Sequence, residues 1–293
     1  MNFEKEFRYS GDKKLALSDR ETKAPKDYKD KAAIQDVLRE NIENLSELQA
    51  KLYAQNRHGV LILFQALDAA GKDGMIRHVM SGINPQGCTV TSFKSPSAEE
   101  LDHDYLWRIH KNLPNRGEIG IFNRSYYEEV LVAKVHPDIL IRQNLPNITD
   151  SKIIPRDFWE KRYREILHFE EYLTNNGFTI LKFFLHLSKE EQRQRFVKRI
   201  IRPEKNWKFS EADIRERSYW KKYHKAYEDA IQETSTDLNP WYIIPSDNKW
   251  FSRLAVSEII DRRLEELPLS YPQVSEETKE RLLNILKDLE EEQ

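Results

Sequence analysis

Residues 59–79 read GVLILFQALDAAGKDGMIRHV, and this stretch decides the fold. A continuous apolar run at residues 59–67 ends in a turn of small residues, which is typical of a buried parallel strand. A helical pattern follows the Gly71-Lys72 pair, so the turn joins a strand to a helix. Backbone N–H groups and the helix dipole at such a junction attract anions, and the stretch therefore predicts a phosphate-binding loop.

The predicted loop departs from the common phosphate-binding pattern at both ends. That pattern is G-x-x-x-x-G-K-[ST], in which the hydroxyl contacts Mg²⁺. This chain has Ala66 at the first glycine, Asp73 at the hydroxyl and a second acid, Asp68, inside the loop. From these residues alone two interpretations stay open. Either Lys72 meets phosphate oxygens, or Lys72 is solvated and Asp68 is an ordinary surface acid.

Strands and helices alternate through the rest of the chain. Apolar runs predict further strands at residues 88–93, 117–123, 178–187 and 241–246. Helical spacing predicts helices at residues 31–55, 72–83, 98–113 and 157–176. This alternation indicates an α/β fold whose parallel sheet is covered by helices on both faces. We predict a three-layer αβα fold with a five-stranded parallel sheet.

The chain shows neither an internal repeat nor a linker rich in Gly, Ser or Pro, so we predict a single domain over residues 1–293. Residues 1–30 are polar and Lys-rich, and we expect an N-terminal arm that either wraps the domain or is a loose tail. Residues 274–293 are highly charged and predict a surface helix.

Composition and charge limit the functions that are open to the chain. Of 293 residues, 39% are hydrophobic, which is enough to build a substantial core. A net charge of -2 does not favour broad binding of nucleic acid. Cys88 is the single cysteine, which excludes a disulfide framework and a Cys-based zinc site. The sequence lacks a long apolar run and an apolar leader, so we expect a cytoplasmic protein without a membrane partner.

A second group of candidate residues follows the predicted strand at 117–123. The stretch GIFNRSYYEE, residues 120–129, places Asn123 and Arg124 at the carboxyl end of that strand. In open α/β sheets, ligands bind outside the carboxyl ends of the strands, so these residues should share a crevice with Asp68 and Lys72. An arginine there suits bidentate contact with phosphate. The alternative is that Arg124 is a surface ion-pair partner.

A third group is a basic stretch after the predicted strand at 178–187. Residues 193–209, RQRFVKRIIRPEKNWKF, set seven cations against the single acid Glu204. The cations are Arg193, Arg195, Lys198, Arg199, Arg202, Lys205 and Lys208. Such a run is either a solvated charged face or a helical lid that closes over phosphates, excludes water and adds positive charge.

Four stretches together carry a family resemblance: ALDAAGKDGMIRHV, FNRSYYEEVLVAKVHP, FFLHLSKEEQRQRF and RPEKNWKFSEADIRERSYW. PWYIIPSDNKWF extends the match, which covers roughly residues 30–265 in one continuous order. The chain resembles the polyphosphate kinase 2 family, whose fold is similar to thymidylate kinase, with a P-loop core and a mobile lid. The resemblance implies transfer of the terminal phosphoryl group of inorganic polyphosphate to a nucleotide, or the reverse, with Mg²⁺ as cofactor.

The resemblance also implies roles for individual residues. The catalytic set is Asp68, Lys72, Asn123, Arg124 and Glu128, and Asp68 would help to hold Mg²⁺ between the phosphate chains. The phosphate-binding set is Ala69, Ala70, Gly71, Lys72, Asp73, Gly74, Arg77 and Lys94. A lid at about residues 195–220 would contact the nucleotide through Lys198, Arg199, Arg202 and Lys208.

The second motif points to a subgroup of the family. Many members have Asp-Arg-Ser-Trp-Tyr-Asn where this chain has Asn-Arg-Ser-Tyr-Tyr-Glu at residues 123–128. An asparagine cannot be an anionic metal ligand, so a metal role for Asn123 does not carry over. The pattern resembles the third class of the family, which accepts both AMP and ADP. Glu128 would then support the metal or the shorter nucleotide acceptor, or else be an ion-pair partner on a helix. Asp73 is either an acid at a helix N-terminus or an outer-sphere partner of Mg²⁺.

The expected partners are inorganic polyphosphate and adenine nucleotides, with guanine nucleotides, chain length and the preferred direction left open. The resemblance implies a homo-oligomer, either a dimer or a tetramer, and the balanced net charge argues against a nucleic-acid partner. Two other functions remain: an ATP-dependent nucleoside monophosphate kinase, and a non-catalytic polyanion-binding protein. The first usually keeps the Ser or Thr that Asp73 replaces, and the second would not need the Asp68, Lys72 and Arg124 set.

Overall fold

A six-stranded sheet lies at the centre of the protein in a computed structural model that describes residues 2–28, 30–207 and 210–292. The strands are β1 (Arg8–Tyr9), β2 (Gly59–Gln65), β3 (Cys88–Ser92), β4 (Ile119–Asn123), β5 (Phe178–His186) and β6 (Trp241–Pro245). Their spatial order is β1-β6-β5-β2-β4-β3. All neighbours from β6 to β3 are parallel, and β1 runs antiparallel to β6.

Helices occupy most of the chain between the strands. They are α1 (Phe3–Phe7), α2 (Lys31–Gln55), α3 (Lys72–Val79), α4 (Ala98–Leu101), α5 (Trp107–His110), α6 (Glu128–Val135), α7 (Asp138–Ile141), α8 (Phe158–Asn175), α9 (Lys189–Ile201), α10 (Pro203–Asn206), α11 (Glu211–Ser218), α12 (Trp220–Thr234), α13 (Lys249–Glu265) and α14 (Glu276–Glu291). Across the described ranges, none of them is both long and apolar enough to cross a bilayer.

Two hydrophobic cores lie on opposite faces of the sheet. Alternate side chains of β2 divide between them: Val60 and Ile62 join the core beneath α2, α3 and α13, whereas Leu61 and Leu63 join the core beneath α6, α8 and α12. All four side chains are fully buried. Burial on both faces is the reason that β2 reads as one unbroken apolar run rather than as an alternating pattern.

The sheet has six strands rather than the predicted five, and the additional strand is β1. Arg8 pairs with Tyr242 and Tyr9 pairs with Trp241 at the edge of the sheet. A strand of two residues is too short to show the alternating pattern by which strands are recognised. The segment before it, α1, buries Phe3 and Phe7 in the core beside α13.

The predicted helix at 98–113 is wrong, because the segment forms two short helices instead. Ser97 and Glu100 form a reciprocal capping box that starts α4. Asp104 then accepts a hydrogen bond from the backbone N–H of Leu106 at 2.9 Å and restarts the chain before α5. The local turn that the Asp104 side chain forms therefore divides a pattern that reads as continuous in the sequence.

The helix predicted at 31–55 is confirmed as α2. Asp30 caps its start by accepting hydrogen bonds from the backbone N–H groups of Ala32 and Ala33, and Asn56 ends it in the left-handed conformation, with φ of 50°. The charged C-terminal segment forms α14, which has no buried residue among those described.

The strand order places a topological switch point at the end of β2. From β2 the chain moves past β4 to β3, returns to β4, and then crosses to β5 on the other side. Loops that leave the carboxyl ends of β2 and β4 consequently diverge, and ligands of open α/β sheets bind in the crevice between such loops. The candidate site lies in this crevice.

Candidate active site

The loop between β2 and α3 has the backbone of a strand-to-helix phosphate-binding turn. Gly71 precedes α3 with φ of 104°, in a left-handed conformation that glycine adopts without strain. Ala69 is also left-handed, with φ of 61°, which costs a non-glycine residue roughly 1–2 kcal/mol. Strained residues of this kind persist where the surrounding contacts fix them. The shape of the loop is therefore set by its neighbours as well as by its own sequence.

Lys72 is buried rather than solvated. It is 9% exposed, and its Nζ donates a hydrogen bond to the carbonyl of Ala66 at 2.8 Å. Burial, with a smaller contribution from the nearby Arg124 charge, lowers the pKa of Lys72 to about 8. A cation held close to the loop in this way is available to phosphate oxygens after exchanging one carbonyl partner.

Arg124 connects the two predicted motifs. Its Nη2 donates to Oδ1 of Asp68 at 3.0 Å, and its Nη1 donates to Oε2 of Glu128 at 3.4 Å. The carboxylate of Glu128, followed by that of Asp68, raises the pKa of Arg124 against the opposing effect of burial. The structure thus brings Asp68, Lys72, Arg124 and Glu128 together, and Glu128 is an ion-pair partner of Arg124.

Parallel strand pairing explains why two distant motifs meet. Phe64 of β2 lies opposite Asn123 of β4, and the backbone N–H of Arg124 donates to the carbonyl of Phe64 at 3.1 Å. Asn123 also reaches across the crevice, where its Nδ2 donates to Oδ1 of Asp73 at 2.9 Å. Asp73 in the loop and Asn123 in the second motif each depart from a common pattern, and these two departures therefore contact each other.

Two residues of α9 hold the loop from the other side of the crevice. Gln192 donates through Nε2 to the carbonyl of Asp68 at 2.9 Å. Arg195, which is 7% exposed, donates through Nη1 to the carbonyls of Ala69 and Ala70. The sequence analysis places Arg195 in the basic stretch of the predicted lid, but in the structure its guanidinium donates to carbonyls of the loop. Gln192 and Arg195 are three residues apart on a helix that follows a strand end, so they lie on one face of that helix. This spacing is the feature of the sequence that could have indicated their shared contact with the loop.

The predicted lid residues differ in their contacts, since Arg199 forms an ion pair whereas Lys198 and Arg202 are exposed. Nη1 of Arg199 donates to Oδ2 of Asp213 in α11 at 3.2 Å, so α9 and α11 are joined by this pair. Asp213 lines one cavity with Asp68 and Arg124, so α11 lies beside that cluster. Burial, followed by the nearby charge of Asp68, raises the pKa of Asp213. Lys208 lies outside the described residues.

The two outlying phosphate-binding candidates lie on the surface. Arg77 is exposed on α3, and its charge contributes, after burial, to the lowered pKa of Arg253 in α13. Lys94 is exposed just after β3, and its carbonyl accepts a hydrogen bond from Nη2 of Arg108 at 2.8 Å. Neither side chain belongs to the compact cluster around Arg124, and their assignment to phosphate remains a prediction.

A comparison with known protein families identifies the family to which this chain belongs. The profile of the family described as Polyphosphate kinase 2 (PPK2) matches residues 28–269, which include every element of the crevice. The chain belongs to the polyphosphate kinase 2 family. The family that the sequence motifs resemble is therefore confirmed.

Individual members of the polyphosphate kinase 2 family match over nearly the whole chain. The ADP-polyphosphate phosphotransferase of Rhodopseudomonas palustris is 53% identical over 285 residues, covering 97% of this chain and 98% of its own. The AMP/ADP-polyphosphate phosphotransferase of Meiothermus ruber is 48% identical over 237 residues, covering 81% and 82% respectively. The crystal structure of polyphosphate kinase 2 from Arthrobacter aurescens TC1 superimposes with a TM-score of 0.86, 35% identity and 97% coverage of both chains.

Family membership raises the question of whether the crevice suits a divalent metal. Within the residues that the structure describes, no group of three or more His, Cys, Asp or Glu side chains could hold a metal ion by itself. Mg²⁺ at phosphoryl-transfer sites is bound through one or two carboxylates together with substrate phosphates, so a complete protein cage is not needed. The partly exposed carboxylates of Asp68 and Glu128, at the mouth of the loop, fit that requirement.

Proposed function

We propose that this member of the polyphosphate kinase 2 family transfers the terminal phosphoryl group of inorganic polyphosphate to AMP and to ADP, reversibly. The observation that carries the proposal is the placement of Arg124 between Asp68 and Glu128, beside the buried ammonium of Lys72. Phosphoryl transfer depends mainly on positioning and on stabilising the charge of the moving group. Two fixed cations at one loop mouth supply that charge.

The division of labour follows from the geometry of the crevice. Lys72 exchanges the carbonyl of Ala66 for an oxygen of the transferred group, and Arg124 contacts the equatorial oxygens from the β4 side. The acceptor oxygen of a nucleotide phosphate is already anionic, so the site needs no general base. Asp68 and Glu128 orient Arg124 and neutralise it until the substrates arrive.

The polyphosphate chain would lie along the start of α3. The first turn of α3 leaves backbone N–H groups without partners inside the helix, at the end where the dipole favours anions. Arg77 on α3 and Lys94 after β3 are exposed and can extend this positive surface. The lid cations Lys198, Arg199 and Arg202 would close over the nucleotide from α9.

Asp68 would hold Mg²⁺, with Glu128 as the second carboxylate available. When bound, the metal neutralises phosphate charge and aligns donor and acceptor. An acid inside a phosphate-binding loop is then compatible with its ligand, because a bound cation reverses the local charge preference. Asp73, which accepts a hydrogen bond from Asn123, would interact either with the hydration shell of the metal or with the N-terminus of α3.

A narrower proposal would be that the protein accepts ADP but not AMP. The names of the two relatives described above differ on this point, since one is named for ADP alone and the other for AMP and ADP. The test incubates the protein with Mg²⁺ and long-chain polyphosphate, with AMP alone or ADP alone, and separates the products by chromatography. We expect ADP and then ATP from AMP, and ATP from ADP. Product from ADP alone would contradict the proposed use of AMP.

Glu128→Gln, with Glu129→Gln as the matched control on the next residue of α6, links that choice to the site. Glu128 contacts Arg124, whereas the carboxylate of Glu129 accepts a hydrogen bond from Gln143. We expect Glu128→Gln to lower kcat/KM for AMP by about 10–100-fold and that for ADP by much less, since the proposed support of the shorter acceptor by Glu128 is a contact to a charged group, worth roughly 1.5–3 kcal/mol. An equal loss for both acceptors would remove Glu128 from acceptor choice.

A further inference from the structure

A buried ion pair lies directly beneath the motif that carries Arg124. Lys182 of β5 and Glu170 of α8 are 0% and 1% exposed, and Nζ of Lys182 lies 2.7 Å from Oε2 of Glu170. Burial lowers the pKa of the Lys182 ammonium, and the adjacent Glu170 opposes that effect. Buried ion pairs are weak evidence for stability, because apolar residues of similar volume often serve as well. The contacts of this pair indicate a role other than stability.

The other oxygen of Glu170 binds both tyrosines of the motif. The hydroxyl groups of Tyr126 and Tyr127 donate to Oε1 of Glu170 at 2.8 and 2.7 Å. Both tyrosines are almost fully buried, at 1% and 0% exposure. They are the second and third residues after Arg124, so this one carboxylate fixes the chain where β4 turns into α6.

The turn at Arg124 needs such support. Arg124 has φ of 65°, a left-handed conformation that is unfavourable for a residue with a Cβ atom. Ser125, also buried, accepts a hydrogen bond from Nε2 of Gln65 in β2 at 3.1 Å and another from the backbone N–H of Tyr127. Strained backbone of this kind persists only where surrounding contacts over-determine it. The serine and the two tyrosines supply those contacts.

Lys182 extends the same network to the helix that follows the lid. Its Nζ donates to the carbonyl of Thr234, the last residue of α12, at 2.7 Å. A cation at a helix C-terminus is favourable because it meets the negative end of the helix dipole. The pair thereby ties β5, α8, the start of α6 and the end of α12 to one point in the core.

We propose that Glu170 and Lys182 are positioning residues for phosphoryl transfer, because through Tyr126 and Tyr127 they fix the turn that aims the Arg124 guanidinium at the transferred group. This inference rests on the role proposed above for Arg124. Neither residue contacts the crevice, so their effect is on the alignment of Arg124 and not on substrate binding. Misplacing a catalytic group by about 1 Å can reduce a rate by about 100-fold.

The test replaces both members of the pair, Glu170→Gln with Lys182→Met, so that no unpaired charge stays buried. We expect kcat to fall by about 10–100-fold, while KM for polyphosphate and for nucleotide changes by less than about threefold. The matched control is Lys134→Met with Asp229→Asn, which removes a 2.7 Å ion pair between α6 and α12, two of the elements that the network joins, at a place away from the turn. The control should keep the wild-type kcat.

A cycle with Arg124→Ala separates positioning from general destabilisation. If Glu170 and Lys182 act through Arg124, removing Arg124 costs at least 10-fold less in the double variant than in the wild type, because coupled residues are not additive. Additive losses, or an unchanged kcat in the folded double variant, would overturn the inference. An Arg124→Ala protein with full activity would instead refute the proposed role of Arg124 itself.

Tyr126→Phe with Tyr127→Phe provides a second route if the double variant fails to fold. These changes keep both rings in the core and remove the two hydrogen bonds to Glu170, together with the contacts of the Tyr127 hydroxyl with Thr234 and Lys182. The same fall in kcat with unchanged KM values is expected. A wild-type kcat in this folded protein would count against the inference.

Discussion

Replacing Lys72 by methionine should reduce kcat by about 1,000-fold or more, because a cation at a phosphoryl-transfer site supplies much of the charge stabilisation. Methionine is close in volume to the lysine stem, and Lys72 makes one carbonyl contact from a buried position. The thermal midpoint should therefore change little. The measurement is steady-state turnover of polyphosphate and nucleotide, with thermal unfolding followed in parallel.

The pH dependence of the wild type provides an internal control for the same residue. With a pKa of about 8, Lys72 is charged below that pH in the free enzyme and loses its proton as the pH rises. Because kcat/KM reports groups of the free enzyme, it should fall above about pH 8. Bound polyphosphate favours the charged form, so kcat should fall only at higher pH. Residual activity of the methionine variant should lack this alkaline limb, and turnover near the wild-type value would contradict the assignment.

Arg124→Lys should be nearly as damaging, although it keeps the charge. A lysine cannot contact Asp68 and Glu128 through two separate nitrogens of one planar group, as Arg124 does at 3.0 and 3.4 Å. We expect kcat to fall by about 100–10,000-fold, which is the range for a lost transition-state arginine tempered by the retained charge. The fall should be in kcat and kcat/KM together, since the contact matters most in the transition state.

Arg199→Lys is the matched control for Arg124→Lys, because Arg199 also pairs with a carboxylate but lies on α9. Its expected loss is about 10-fold or less, since this partly exposed pair joins α9 to α11 and does not contact the transferred group. Equal losses in the two variants would mean that Arg124 is one lid-like cation among several, and not the group that meets the transferred phosphoryl.

Much of the fold can be read from the sequence because its central strands are buried on both faces. The apolar runs of β2 and β5 are long and bounded by turn residues, so their type and order follow directly. β1 could not be found in this way, since two residues carry no periodicity and their pairing depends on the distant β6. The break between α4 and α5 depends on a local turn formed by the Asp104 side chain, within a pattern that otherwise continues.

The site was predictable where it depends on strand ends and less so where it depends on packing. Asp68, Lys72 and Arg124 meet because they follow adjacent parallel strands, which the sequence pattern already places side by side. The contacts of Gln192 and Arg195 with the loop were not predicted, because a buried arginine that binds carbonyls looks the same in sequence as a lid cation. The left-handed conformation of Arg124 was likewise not predictable, because the residue types at this turn do not indicate it.

The most direct measurement follows the phosphoryl donor by ³¹P NMR. One mixture contains the purified protein, Mg²⁺, AMP and polyphosphate, and a second contains ATP in place of polyphosphate. The account predicts loss of polyphosphate signal and growth of ADP and then ATP signals in the first mixture, with both absent when Lys72→Met protein is used. No reaction with polyphosphate, together with formation of ADP from ATP and AMP, would contradict it and would favour an ATP-dependent nucleoside monophosphate kinase.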